Sequence, residues 1–284
     1  MHAPHPPVRQ PVRTVRTFDA AEPRRLARAL ADLFEGFARL RLAWALARND
    51  LHNRYRGSVL GPIWLTLSTA VMLAALGLLY STLFRMDLRE YLPWLGVSLI
   101  VWNLIAQTVA DSCTCLIQAE GAIRQLPLPH STHALRCVLR NAMTAAHNLP
   151  LIAVVFAMFG IMPGPAVLLV IPGLALLGVN ALAHALLLGI VCARFRDVVQ
   201  IVGALMQIAF FITPVIWKPD LLREWAFLMP LNPFYPLMEV VRAPLLDDGG
   251  TLGVWLAAAG WTALNVSIAF AFFVRFRGRV AFWV

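Results

Sequence analysis

Charge is what this sequence has least of. Only 14% of its 284 residues are Asp, Glu, Lys or Arg, against about 25% in a soluble domain. Lysine is almost missing, with Lys218 the single case. A phosphate-cradling P-loop, G-x-x-x-x-G-K-[ST], sets its lysine behind a glycine run, and Lys218 follows Trp217 with no such run. ATP hydrolysis by that route is excluded, so energy of that kind must come from a partner. Cysteine is sparse: Cys113, Cys115, Cys137 and Cys192 lie in or beside apolar stretches, and no disulfide framework follows. On a helix Cys113 and Cys115 point about 200° apart, poor geometry for a shared metal. They read as small buried hydrophobes, and no metal site or resident cofactor is expected. The acids are scattered, so the cluster of acids, histidines or a nucleophile that a membrane-bound transferase needs at one face is missing. No internal repeat is visible, which leaves an inverted-repeat secondary transporter without support.

Apolar residues are abundant instead: 60% of the chain, with a mean hydropathy of +0.70. Repeated blocks are long enough to cross a 30 Å hydrocarbon core at 1.5 Å per residue. The pattern predicts an all-α integral membrane protein with six transmembrane helices, at about 59–84, 92–117, 134–160, 166–193, 198–217 and 251–274. Residues 218–250 contain Pro219, Pro230, Pro233, Pro236 and Pro244 among leucines and aromatics. That segment is too broken for a full span and too greasy for a soluble loop, which predicts short re-entrant or interfacial helices on the outer side.

Residues 1–20, with Pro6, Pro7 and Pro11, read as a flexible cytoplasmic tail, and no secretory signal is expected. Residues 21–58 form an interface unit. Leu26, Leu30, Leu33, Phe34, Phe37, Leu40, Trp44 and Leu51 fall at helical spacing, with Arg28, Asp32, Glu35 and Arg39 opposite. An amphipathic helix over about 22–51, lying in the membrane interface, is predicted. Residues 59–284 form the six-span domain.

The net charge of +9 raises nucleic acid as a partner, but the arginines flank the apolar blocks as topology signals do. Residues 1–58 hold eleven arginines and five acids, a net +6; the segment after the fifth span holds three basic and five acidic residues, a net −2. Both termini are therefore expected in the cytoplasm, as is the break 118–133.

Within the spans, Asp111 is expected to pair with Arg136 or Arg140 at the rim. A proton relay through Asp111, His147 and His184 is the competing reading. His147, Asn148, Asn180 and His184 are expected to join helices by hydrogen bonds. Arg194, Arg196 and Asp197 are expected to make a short cytoplasmic turn.

Four stretches carry a resemblance: RNDLHNRYRGSVLGPIW at 48–64, ARFRDV at 193–198, QIAFFITPVIW at 207–217 and LNPFYPLMEVVR at 231–242. In that order the chain resembles the type-2 ABC transporter permeases of the polysaccharide and polyol-phosphate exporter family (O-antigen, capsule, teichoic acid). The break departs from the family's Asn-, Lys- and Phe-rich wording and reads EGAIRQLPLP. The resemblance implies a bacterial inner-membrane homodimer working with two copies of a cytoplasmic ABC ATPase that holds the ATP and Mg. It implies export of a lipid-linked polysaccharide, with a teichoic-acid-type polymer or a small lipid or drug as the alternative. It places an ATPase-coupling helix in the break, at Glu120, Gly121, Ile123, Arg124, Leu126 and Pro127. The loop Arg54, Tyr55, Arg56, Gly57, Leu60 and Gly61 is expected near the ATPase and the headgroups. Pro214, Asn232, Pro233 and Tyr235 are expected in an outer gate. A glycan path wants aromatic platforms and few fixed charges, so Trp64, Tyr80, Phe84, Trp102, Phe210 and Phe211, with Gln107 and Gln207, are the channel-lining candidates.

Overall fold

The computed structural model describes residues 24–284 except Val59, Leu60, Pro62 and Pro127. The predicted tail, and the calls on Leu60 and Pro127, lie outside the described residues. Among the described residues every regular element is helical. Five helical segments are long and apolar enough to cross a membrane: Ile63–Phe84, Leu88–Thr114, His130–Phe159, Pro165–Arg194 and Leu252–Trp283.

The predicted interface helix is two helices, α1 (Arg25–Ala38) and α2 (Leu40–Arg54), broken at Arg39. Its burial shows which face meets the protein. The buried faces are Ala29, Asp32 and Gly36 on α1, and Ala43, Ala47 and Leu51 on α2. Leu26, Phe34, Phe37 and Trp44 point outward, each more than half exposed. Small residues let the helices lie close against the protein, and the large apolar ones are left for the membrane interface.

Helix α3 (Ile63–Phe84) buries one narrow seam, Thr69, Leu73, Gly77 and Ser81. The seam faces α4 (Leu88–Thr114), where Leu92 lies so close that a Cβ on Gly77 would meet its methyl at 2.1 Å. Helix α4 is the axis of the bundle, buried almost throughout from Tyr91 to Ile105. A short turn leads into α5 (Glu120–Gln125), then α6 (His130–Ala146) and α7 (Leu149–Phe159). The last two make one span, interrupted at His147 and Asn148 just before Pro150, whose ring and missing N–H do not suit a helix interior. A 3-10 turn, Pro165–Leu169, opens α8 (Val170–Arg194).

The fifth predicted span is shorter than expected. Helix α9 covers only Val198–Ile212, about 22 Å. Thr213 is extended because Pro214 disfavours a helical residue before it. Residues 213–216 then fold back as buried backbone, with the Tyr91 hydroxyl donating to the Ile216 carbonyl at 2.5 Å. A 3-10 segment, Pro219–Leu231, and α10 (Phe234–Leu245) follow, as the prolines predicted. Helix α11 (Leu252–Phe276), a turn and α12 (Val280–Trp283) end the chain.

There are two apolar cores, the first around α4 and the second just past its end. One gathers Tyr91, Leu95, Trp102, Val215, Leu237 and Val241. The other gathers Ala29, Leu116, Ile123, Ala134, Ile190, Phe273 and Val280. The second core therefore brings α1, the break at 118–133 and the C-terminal segment to the same end of the bundle.

Candidate functional site

At that end, α5 is a helix of six residues. Ile123 is buried at 2% exposure and packs with Val280 and Val284, so it faces inward rather than toward a docking partner. Glu120 and Arg124 pair at 3.0 Å, and Arg124 also donates to the Val284 carbonyl. Gly121 and Leu126 face outward, Leu126 at 50% exposure, and a Cβ on Gly121 would meet nothing within 4 Å.

Behind α5 lies a feature that the sequence pattern did not single out. Asp32, placed only on the polar face of the helix, is 3% exposed. Its carboxylate accepts from the backbone N–H of His130 at 3.1 Å and of Ser131 at 3.0 Å, from the Ser131 hydroxyl at 2.7 Å and from Arg277 Nε at 2.6 Å. Burial alone raises this carboxyl, but Arg277, His130 and the Ser131 N–H together hold it below its ordinary value. A polar cleft of about 310 Å³, lined by Arg28, Glu35, Leu128, Pro129 and Arg277, opens beside it.

A second charged cluster joins α2, α4 and α6. Arg136 pairs with Asp50, and Arg140 bridges Asp50 at 3.4 Å and Asp111 at 2.9 Å. Gln107 donates to Asp111 at 2.7 Å, so this channel-lining candidate serves the ion network. The Asp111–Arg140 pair is the one expected. The relay partners are otherwise engaged: His147 Nδ1 lies 2.7 Å from the Met143 carbonyl of its own helix, and His184 sits against Asn265. Asn180 does join helices, donating to Thr262 Oγ1 at 2.6 Å and accepting from Asn265 at 2.9 Å. In the loop before α3, Arg54, Arg56 and Gly57 are exposed, and Gly57 and Gly61 adopt φ of 88° and 53°, which a side chain would disfavour. The Tyr55 hydroxyl is buried without a hydrogen-bond partner among the described residues.

At the other end, one gate candidate, Pro214, is tied to α4 through Arg242. Arg242 is 1% exposed and lies 4.4 Å over the Trp94 ring. It donates to Ser98 Oγ at 2.9 Å, to the Pro214 carbonyl at 2.8 Å and to Glu239. Asn232 donates to Thr213 Oγ1 and accepts from the Phe234 N–H, each at 3.0 Å. Pro233 is exposed and Tyr235 half-buried. Arg242 was quoted above within a motif but given no role.

The aromatic candidates divide. Tyr80 stacks on Phe84 at 5.4 Å, and Phe84 meets Tyr91 edge-on. Trp102 is buried between Phe210 at 5.8 Å and Phe234 at 5.7 Å, so it packs α4 against α9 and α10. Trp64, Gln207 and Phe211 are exposed on the outer surface of the chain. A largely apolar cavity of about 340 Å³ between α4, α6, α8 and α10 contains none of these candidates.

A family model described as ABC-2 type transporter matches residues 41–246. The chain belongs to the ABC-2 type transporter family. The match runs from α2 to the end of α10, and so includes α5, the charged cluster and the Arg242 pin of this ABC-2 transporter. Among curated relatives, it is similar to the O-antigen export system permease protein RfbA of Myxococcus xanthus, 25% identical over 203 residues, covering 70% of this chain and 78% of the relative. It is also similar to an O-antigen export system permease protein RfbA of Klebsiella pneumoniae, 21% identical over 193 residues, covering 66% and 73%. With its apolar helices, the family membership makes this a multi-pass membrane protein.

Proposed function

We propose that this chain is the membrane-spanning permease subunit of an ATP-driven exporter that moves a lipid-linked polysaccharide, O-antigen-like or capsule-like, across the bacterial inner membrane. It hydrolyses no nucleotide itself. Two copies form the translocation path, with membrane lipids around them. Two copies of a cytoplasmic ABC ATPase bind ATP and Mg and drive the polymer stepwise. Helix α9 makes the fifth of six crossings, and the segment from residue 213 to α10 is re-entrant on the outer side. The termini, the break at 118–133 and the basic turn at 194–197 face the cytoplasm.

One observation carries this reading: α5 sits at the tip of the bundle end that also holds α1 and the C-terminal segment, with Gly121 and Leu126 outward. A short, exposed helix held on a rigid base is what a docking element requires, since ordering it costs little at binding. The relatives' names favour a glycan over a small lipid or a teichoic-acid-type polymer.

The test is affinity purification of the full chain from its native membrane. A stoichiometric P-loop ATPase is expected in the eluate. Reconstituted together, the pair should export a fluorescently tagged lipid-linked O-antigen glycan only with ATP. A chain that purifies without an ATPase, and exports on a proton gradient alone, would overturn the reading.

A further inference from the structure

The best-satisfied buried charge at the docking end is Asp32. Burying a carboxylate is costly unless it is paired and hydrogen-bonded. Its four donors come from two other elements: the first turn of α6, whose N-terminus favours an anion, and Arg277 just past α11. The same Ser131 hydroxyl also lies 2.6 Å from the Asp32 carbonyl oxygen, so the two oxygens share its one proton. A second, independent feature holds the same contact. Gly36 lies one turn on, and a Cβ there would sit 2.1 Å from Ser131 Oγ, so α1 and α6 touch through glycine. The segment that follows Arg277 braces α5 from the other side, through Val280 and Val284 against Ile123 and through the Arg124 bond to the Val284 carbonyl.

Helix α5 thus lies between two tethers that both descend from α11. Packing alone does not need a carboxylate here, since an apolar residue fills such a site at less desolvation cost. A charged joint does something packing does not. It fixes three elements in one register, so they move together.

We propose that Asp32, with Arg277 and Ser131, is a positioning centre for export. It locks α1, the start of α6 and the end of α11 into one body, so that a push on α5 is delivered to the spans and not absorbed in the 126–130 link. This rests on the permease reading above. Asp32 touches neither polymer nor nucleotide; it acts through the elements that it joins.

The experiment uses the full chain in proteoliposomes with the ATPase that co-purifies with it, a tagged lipid-linked O-antigen glycan, and ATP turnover measured in the same vesicles. Asp32→Asn and Arg277→Gln are compared with the conservative Arg277→Lys. Expected for the first two are assembly with the ATPase, turnover within about twofold of wild type, and export per ATP lowered about fivefold or more, with Arg277→Lys retaining most of it. A merely structural role would lower assembly, turnover and export together, and that outcome overturns the proposal. Unchanged export per ATP in both variants overturns it as well. Should Asp32→Asn fail to assemble, the less buried Arg277→Gln decides; failure of both makes the centre a folding element and ends the proposal. A wild-type chain that captures no ATPase sinks the permease reading instead, and is scored before any variant is made.

Discussion

Removing the Arg242 guanidinium should loosen its end of the bundle more than any other single truncation there. In Arg242→Met the apolar stem is kept and the charge is lost. Glu239, only 19% exposed, is then left without its cation. The Pro214 carbonyl and Ser98 lose their donor, and the Trp94 face loses its cation. Breaking a buried pair from one side costs about 3–5 kcal/mol, mostly for the charge left behind. At roughly 2–4 °C per kcal/mol for a chain of this size, the midpoint should fall by about 6–20 °C.

The cause can be separated from the loss of volume. In Glu239→Gln with Arg242→Met, no charge is left unpaired, so the double variant should be less destabilised than the sum of the singles by about 1–3 kcal/mol. The assay is thermal unfolding of detergent-solubilised protein by tryptophan fluorescence, at one scan rate for all variants because such unfolding is rarely reversible. A shift below about 2 °C for Arg242→Met, or additivity within about 0.5 kcal/mol, would refute the reasoning.

Three further outcomes follow from the same geometry. Leu126→Asp should lower export while leaving the chain folded, because Leu126 is half exposed; Ile123→Asp should damage folding first, because Ile123 is buried, and parallel export and thermal-stability measurements distinguish the two. Gly173→Ala should cost about 1–3 kcal/mol in the same melt, since a Cβ there would sit 2.4 Å from the Val240 carbonyl oxygen, and backbone yields poorly. Asp32 is held below its ordinary value of 3.8, so its contribution is complete above that pH and is lost as pH falls through the lower folded value. Stability should fall below about pH 4 with an extra slope of at most ~1.4 kcal/mol per pH unit, and Asp32→Asn should remove that slope in acid-denaturation curves.

What could be read from the residues was whatever long runs and prolines decide. The apolar blocks marked the long helices to within a few residues. Pro219, Pro230 and Pro233 announced the broken segment before α10, and Pro214, quoted as part of a motif, sets the early end of α9. Charge bias put α1, the break and the C-terminal segment together, and the second apolar core brings them to one end. Asp32 was passed over for a physical reason. The large apolar residues were expected at the membrane interface, but the polar face opposite was left undivided between water and protein. At a membrane the large residues can face lipid while Ala29 and Gly36 face protein, so the polar residue among them goes inside. Arg242 was hidden differently. Ser98, the residue that it reaches on α4, is 144 positions away, and no local pattern records that.

Helix α4 gives the two ends of the molecule a mechanical relation. At 27 residues it spans about 40 Å, longer than the hydrocarbon core. Its first half holds Trp94 and Ser98, which grip Arg242 and through it the Pro214 backbone. Past its end at Thr114, the turn through Cys115 and Leu116 leads into α5. Gly189 of α8 packs there so tightly that a Cβ would meet Cys115 Sγ at 3.0 Å, leaving little room for α4 to slide past α8. A displacement applied at α5 therefore has one stiff member to travel along, with α8 packed beside it. Non-helical backbone adjoins it at both ends, the 115–119 turn packed by Gly189 and residues 213–216 held by Tyr91 and Arg242. On the proposed reading, a push on α5 reaches the spans by this path and by the Asp32 joint beside it, so neither end of α4 can shift without carrying the other.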